Sequence, residues 1–485
     1  MMRICIIAEG SYPYVTGGVS SWIHDIITSM PEHEFVIFTI AAQEKQKGKF
    51  KYTLPANVVE VRETFLDTYL LENGRWGKRF KLNKEQKDNL KRLLGEQGEI
   101  DWKVLFSLLR NTQFNQVSDF LASKDFFDVL EELCQERYPL VPFTEMFWTV
   151  RSMILPLFLT IREQLPQADL YHSASTGYAG IIGAVAKEVY KKPFLLTEHG
   201  IYSREREEEI IKADWVKGYF KDMWIQYFYR LSNCSYEHAD WVTTLFSRNR
   251  DIQIEIGCDS DKIELIPNGV NVQKYIELDQ KKPDHLIYIG AVIRVVPIKD
   301  IKSMIQSFAL IKEEVPNAMF YIMGSFEEDE NYYQECLQLV NALQVKDVNF
   351  TGTIQTLDYI GKMDVLMLTS ISEGQPLAIL EGMAASKPFV STNVGSCKEL
   401  LEGLEDNIGP AGIVTPVMHY ELMAQAVIKL CQNGKLRKEM GRNALTRVSK
   451  YYRQEDVIVN YRRLYLELGG DSNGRDRLRA EKALS

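Results

Sequence analysis

Short apolar runs closed by polar turns recur along the chain, and most lead into a stretch with apolar residues at helical spacing. Near the start, "RICIIAE" passes through a Gly- and Pro-containing loop into a segment whose Trp22, Ile23, Ile26, Ile27 and Met30 share one helical face. "EFVIFTI", "ADLYHSAS", "PFLLTEHG" and "ADWVTTLF" repeat the strand-like pattern. A second series follows in "LIYIGAV", "AMFYIMGS", "VNFTGT", "DVLMLTS", "PFVSTNV" and "AGIVTP". Strands that alternate with helices predict parallel, doubly wound sheets. The expected class is α/β, with two doubly wound Rossmann-like domains facing each other across a cleft.

Two segments break the rhythm. Residues 62 to 166 are rich in charged and aromatic helical sequence such as "KEQKDNLKRLL" and predict a helical insertion in the first domain, expected to serve acceptor or partner recognition. "NVQKYIELDQKKPDH" loses its apolar periodicity and reads as an interdomain linker. The expected domains are 1–275, with the insertion, and 276–455, the nucleotide-binding one. A closing helix over 456–470 is expected to pack back on the first domain, and the polar stretch 471–485 to be frayed.

Composition narrows the classes. A chain of 485 residues exceeds a single core, and a net charge of −9 without a basic tract argues against nucleic acid as the main partner. Seven scattered cysteines with no C-x-x-C pair read as reduced thiols of a cytoplasmic protein. The opening apolar run stops at Glu9, too soon for a signal peptide. Ser152 to Ile161, flanked by Arg151 and Arg162, falls short of the roughly 20 residues that cross a bilayer, and predicts a core helix.

Candidate chemistry lies at the ends of the predicted strands, where open α/β sheets bind ligands. Glu373 and Glu381 stand eight positions apart in "SEGQPLAILEGMAASKPFVST". Eight helical residues rise about 12 Å, a span that suits a ligand with hydroxyls at both ends. Free N–H groups of a helix starting near Gly374 to Leu377 would meet an anion between them. Arg294 and Lys299, in "GAVIRVVPIKD", add a fork donor and a point charge suited to a diphosphate. Gly17 and Gly18 permit close approach to a phosphate, or simply a turn. His199 ends the strand of "TEHG", a place where a lone histidine is commonly structural.

Taken in order, Gly17-Gly18, "TEHG", "IPNGV", Arg294 with Lys299, and Glu373-x7-Glu381 followed by "KPFVSTNVGSCKEL" resemble the family-4 glycosyltransferases of the GT-B fold. The likeness covers both sheet domains and leaves the insertion outside. The opening "AEGSYPYVTGGVSSWIHDII", the insertion and "TEHGIYSRERE" are more narrowly similar to the cytosolic glycosyltransferases of Pel-type exopolysaccharide synthesis. The resemblance implies retaining transfer of a hexose or N-acetylhexosamine from a UDP-sugar, such as UDP-glucose or a UDP-N-acetylhexosamine, to a polysaccharide acceptor. It also implies recruitment to an exopolysaccharide synthesis complex at the cytoplasmic face of the inner membrane. By the same resemblance Glu381 binds ribose hydroxyls, Glu373 a hexose hydroxyl, and Arg294 with Lys299 the diphosphate. Gly18 and the helix start at Pro376 and Leu377 complete the phosphate cradle, and His199 sits by sugar and acceptor.

One departure from the family pattern is Gln375-Pro376 after Gly374. Pro376 has no N–H, so a donor there falls to Leu377. Asp259-Ser260-Asp261 imitates the Asp-x-Asp cation site of another glycosyltransferase architecture but reads as a turn, so no metal cofactor is expected. A non-catalytic nucleotide-sugar sensor and a nucleotide-sugar epimerase are the competing readings.

Overall fold

In the computed structural model, residues 1–68, 77–95, 97–110, 116–278, 281–404 and 406–470 are described. The stretch 471–485, expected to be frayed, lies outside them. The apolar runs form β1 (Arg3–Glu9), β2 (Glu34–Ala41), β3 (Val58–Phe65), β4 (Leu170–Ser173), β5 (Phe194–Glu198), β6 (Trp241–Thr244) and β7 (Ile263–Leu265). These make one sheet in the order β3-β2-β1-β4-β5-β6-β7, parallel from β3 through β6. A second series, β8 (Ile287–Val292), β9 (Ala318–Met323), β10 (Val348–Gly352), β11 (Val365–Leu368), β12 (Phe389–Thr392) and β13 (Gly412–Thr415), forms a parallel sheet in the order β10-β9-β8-β11-β12-β13. Central strands such as β4, β5, β11 and β12 are buried along their whole length, as expected where helices cover both faces.

Each sheet therefore reverses its winding once, between β1 and β4 in the first and between β8 and β11 in the second. Loops leaving two adjacent strands in opposite directions open a crevice at such a point. The chain divides into one unit of Met1–Thr244, Arg250–Glu264 and Tyr461 onward, and a second of Leu245–Asn249 and Leu265–Asn460.

Three expectations shift. Residues 62–65 are not part of the helical insertion but the end of β3, which pairs with β2 from Phe35↔Val58 to Ala41↔Phe65. Its charged Glu60, Arg62 and Glu63 mark a half-exposed edge strand, and their polarity hid the pattern. The helices of the insertion begin at Lys84–Leu93 and end with Phe143–Arg162. The segment read as a linker belongs to the second unit, where Tyr275 and Leu278 pack on the core and Lys282 pairs with Asp364 at 3.0 Å. The boundary accordingly falls at Glu264/Leu265 rather than 275/276.

Among the described residues no helix is long and apolar enough to cross a membrane. The stretch Ser152–Ile161 lies in the helix Phe143–Arg162, whose Met153, Ile154, Leu157, Phe158 and Ile161 are buried. All seven cysteines are buried and unbridged.

The last helix, Gln454–Gly469, sends Tyr461 and Tyr465 into the core of the first unit. The Tyr465 hydroxyl meets His172 Nδ1 at 2.8 Å, and the Tyr461 hydroxyl meets Thr197 Oγ1 at 3.2 Å.

Candidate active site

In the second unit the switch point explains a meeting that spacing along the chain does not predict. Lys299 follows β8, Glu373 follows β11, and these strands are neighbours. Lys299 Nζ donates to Glu373 Oε1 at 2.5 Å, with only 16% and 13% of the two side chains exposed. The Ser370 hydroxyl donates to the same oxygen at 2.6 Å. The Thr369 hydroxyl, just past β11, sits 3.0 Å from the carbonyls of both Lys299 and Asp300. It pins the turn where Asp300, at φ 48°, caps the helix Ile301–Glu314.

The loop carrying Glu373 is held from its other side by the loop after β12. Ser396 N donates to Gly374 O at 3.0 Å. Gly395 adopts φ +50°, and a Cβ there would stand 2.1 Å from Gly374 O and 2.3 Å from Glu373 O. Only glycine combines that backbone with that approach.

The helix after this loop is Leu377–Ala384, with Pro376 at its N-cap and no side chain capping it. Glu373 thus lies before the helix, so a helical rise does not set its distance from Glu381, as the spacing alone suggested. Glu381 is on the helix and largely buried. Burial raises its carboxyl to about 7, partly opposed by a hydrogen bond from the Tyr275 hydroxyl. Between the glutamates, Gln375 is buried, and its Oε1 accepts from Asn268 N at 2.5 Å. Gln375 Nε2 has no partner among the described residues. Arg294 lies nearer the surface, where one guanidinium nitrogen, Nη1, donates to both carboxylate oxygens of Glu328 at 2.8 and 2.6 Å, both side chains more than half exposed.

In the first unit the switch point holds the carboxyl of Glu9 at the end of β1, which accepts from Tyr178 N at 3.0 Å and from the Tyr202 hydroxyl at 2.9 Å. A cluster of rings gathers on β4, after β5 and on the helix after β1. Gly17, in extended backbone at φ 171°, caps the helix Gly18–Thr28 with no side-chain hydrogen bond. A Cβ at Gly17 or at Gly18 would meet nothing within 4 Å. Neither conformation nor crowding requires glycine there, which weakens the simple-turn explanation. Trp22 on this helix meets the His199 ring edge-on at 4.7 Å and the His172 ring at 5.6 Å. Burial lowers His199 to about 4 and His172 to about 3, so both imidazoles are neutral at pH 7. His199 follows Glu198, a buried carboxylate that accepts from the Tyr236 hydroxyl at 2.6 Å, Gln253 at 2.9 Å, and Tyr202 N and the Thr176 hydroxyl at 3.1 Å each. These bonds fix the end of β5 from which His199 extends.

Asp259 and Asp261 form a turn, with Asp259 Oδ1 accepting from Asp261 N at 3.0 Å. Among the described residues no group of three or more His, Cys, Asp or Glu could hold a metal ion.

Sequence reasoning passed over Tyr275, Ser370, Gln375 and Gly395. Tyr275 lay in the supposed linker, and Gln375 was noticed only as a departure. Ser370 and Gly395 acquire their roles from strand adjacency.

The profile of the family described as "Domain of unknown function (DUF3492)" matches residues 2–261, more than half of the chain, and the chain belongs to that family. The profile of the group 1 glycosyl transferases matches residues 274–447. An uncharacterized glycosyltransferase of Methanocaldococcus jannaschii is 25% identical over 303 residues, 62% of this chain and 76% of the relative. The capsular polysaccharide biosynthesis glycosyltransferase CapM of Staphylococcus aureus is 22% identical over 351 residues, 66% of this chain and 84% of the relative. The crystal structure of Anabaena HepE in complex with UDP and glucose superposes with a TM-score of 0.60 at 16% identity, covering 96% of this chain and 100% of that one. The fold is GT-B, and the chain is a glycosyltransferase related to proteins of the two matched families.

Proposed function

We propose that the protein is a retaining, metal-independent hexosyltransferase, PelF-like in its role, that moves a hexose or N-acetylhexosamine from a UDP-sugar to a growing exopolysaccharide. The observation that carries the reading is the half-buried Lys299–Glu373 pair at the switch point of the second sheet, one short loop from the helix that bears Glu381. Support comes from HepE, solved with UDP and glucose, and from CapM, a relative named for capsular polysaccharide biosynthesis.

Each residue has a distinct task in this reading. Glu381, beside the Tyr275 hydroxyl, accepts hydrogen bonds from the ribose hydroxyls. Lys299 exchanges its carboxylate partner for the donor diphosphate, and the Glu373 it releases accepts a hexose hydroxyl. As the anomeric C–O bond breaks, negative charge grows on the diphosphate, where Lys299, Arg294 and the N–H groups from Leu377 onward stabilise it. Gly17 and Gly18 leave backbone open to the phosphates. His199, neutral and edge-on to Trp22, serves the sugar and acceptor. The acceptor hydroxyl bonds to the anomeric carbon on the face the diphosphate leaves, and its proton passes to a diphosphate oxygen. That route preserves the anomeric configuration without a covalent sugar–enzyme intermediate.

The test is incubation with UDP-glucose, UDP-N-acetylglucosamine and UDP-N-acetylgalactosamine, followed by NMR of the products. Slow UDP release alone, and an α-linked product when acceptor is added, are expected. An isomerised sugar nucleotide would instead mark an epimerase, and binding without turnover a sensor.

A further inference from the structure

Away from the loops discussed above, the first unit carries a pocket of about 310 Å³ lined by Trp148, Trp215 and Trp224 together with Glu145, Lys217 and three hydroxyl-bearing residues. Three of the chain's seven tryptophans therefore surround one small site. Trp148 comes from the last helix of the insertion, Phe143–Arg162. Trp215 comes from the loop before the helix Gly218–His238, and Trp224 from that helix. Trp224 is buried, but Trp148 is 57% and Trp215 69% exposed. Two large indoles facing water at one place mark a binding surface rather than a core. Trp215 and Trp224 meet nearly at right angles, with ring centres 5.6 Å apart, so at least one face of the exposed Trp215 ring is left uncovered by that partner.

The polar groups decide what kind of ligand fits. The charges at the rim cancel: Lys217 Nζ donates to Glu145 Oε1 at 2.8 Å, and the Tyr219 hydroxyl donates to the other carboxylate oxygen. Thr144, Thr149 and Ser152 supply hydroxyls along one wall. An anionic membrane surface is disfavoured, because the helix Lys124–Arg137, which packs against Phe143–Arg162, carries five acidic and two basic residues. A pyranose has an apolar C–H face that covers an indole and a rim of hydroxyls that bond to Thr, Ser, Glu and Lys. The volume lies at the lower end of the range for small-ligand pockets, about 300–1,000 Å³.

We propose that this pocket is a saccharide subsite that grips an uncharged stretch of the acceptor polymer at a distance from the reacting hydroxyl. The inference rests on the glycosyltransferase reading for the identity of the polymer, but binding can be tested without turnover.

Saturation-transfer NMR on the whole protein, without donor, would use tetrasaccharides of glucose, N-acetylglucosamine and N-acetylgalactosamine. One of them is expected to show ring-proton contact that weakens at least tenfold in both Trp148→Ala and Trp215→Ala, with melting temperatures unchanged. Trp215→Phe, which keeps a flat apolar face, should restore part of the affinity. The proposal is overturned if no tetrasaccharide binds, or if binding survives both alanine variants. It is equally overturned if the variants leave sugar binding intact but remove attachment to phosphatidylglycerol vesicles or self-association. Donor hydrolysis by the unaltered protein is read separately, so failure of the transferase reading and failure of the subsite are distinguishable.

Discussion

The two units share a strand order, with β3-β2-β1-β4-β5-β6 of the first repeated as β10-β9-β8-β11-β12-β13 of the second, but they furnish it differently. In the second, neighbouring strands bring a lysine and a glutamate into a half-buried pair, with a buried carboxyl on the helix beyond. In the first, β1 and β5 end in the carboxyls Glu9 and Glu198, and Trp22, His199, His172 and two tyrosines from the last helix form a cluster of rings that carry no charge at pH 7. One topology thus supports either a lysine–glutamate pair or a cluster of desolvated rings beside carboxyls that lack a lysine partner, according to which residues its loops and flanking helices supply. In the proposed reading the lysine–glutamate pair meets the nucleotide diphosphate and the ring cluster meets sugar hydroxyls.

Breaking the lysine–glutamate pair should have the largest effect. Lys299→Ala is expected to lower turnover by about 10² to 10³-fold with a smaller change in donor affinity, because the leaving charge grows toward the transition state. Arg294→Ala should lose less, since its guanidinium is exposed and already held by an exposed Glu328. Steady-state kinetics with a saturating acceptor checks both.

Gly395→Ala tests whether the Glu373 loop depends on its support. The added Cβ collides with the carbonyls of residues 373 and 374, so the loop must move. Turnover should drop by as much as about 10²-fold, the scale of a misplaced catalytic group, while circular dichroism shows an intact fold.

A pH titration sharpens the contrast, because the two histidines of the ring cluster and Glu381 respond with opposite sign. His172 and His199 are held below their ordinary value of 6.5, at about 3 and about 4, so the unfolded state binds more protons on acidification. The stability they contribute is present above pH 6.5 and is lost as pH falls toward 4. Glu381 is raised from 4.5 to about 7, so its contribution is full below 4.5 and is lost as pH rises to about 7. Hydrogen exchange resolved by peptide should show protection falling in β4, which carries His172, toward acid, and in the helix Leu377–Ala384 toward neutrality. Affinity for a UDP-sugar, whose diphosphate has no proton to lose in this range, should rise a few-fold between pH 6 and 8 and become flat in Glu381→Gln.

The smallest effect is expected from Asp259→Asn with Asp261→Asn, which alters a turn outside both switch points. Activity should change by less than about twofold, and transfer should survive excess chelator.

What could be read from the chain tracks how local each feature is. β1, β2, β4 and β5 show as apolar runs because their burial is continuous, whereas β3 alternates Glu60, Arg62 and Glu63 with apolar residues and merges into charged helical sequence. Lys299, Glu373 and Glu381 were recognisable as charges at strand and helix ends. Their wiring was not: Lys299 meets Glu373 because β8 pairs with β11, and Gly395 is required only because two loops cross within 3 Å. Tyr275 was hidden by its polar neighbours, although its ring packs on the core and its hydroxyl bonds Glu381. His172, silent as a single histidine, owes its desolvation to Trp22 and to a helix nearly 300 positions away, with 293 separating it from Tyr465.

The central claim is that Glu381 and Glu373 read opposite ends of one sugar nucleotide, and calorimetry on two variants with two ligands tests it most directly. Glu381→Ala should weaken UDP and UDP-sugar alike, by about tenfold each, the scale of a hydrogen bond to a charged group. Glu373→Ala should weaken the UDP-sugar by a similar factor and leave UDP nearly unchanged. Equal losses for both ligands in both variants, or no loss in Glu381→Ala, would contradict the account.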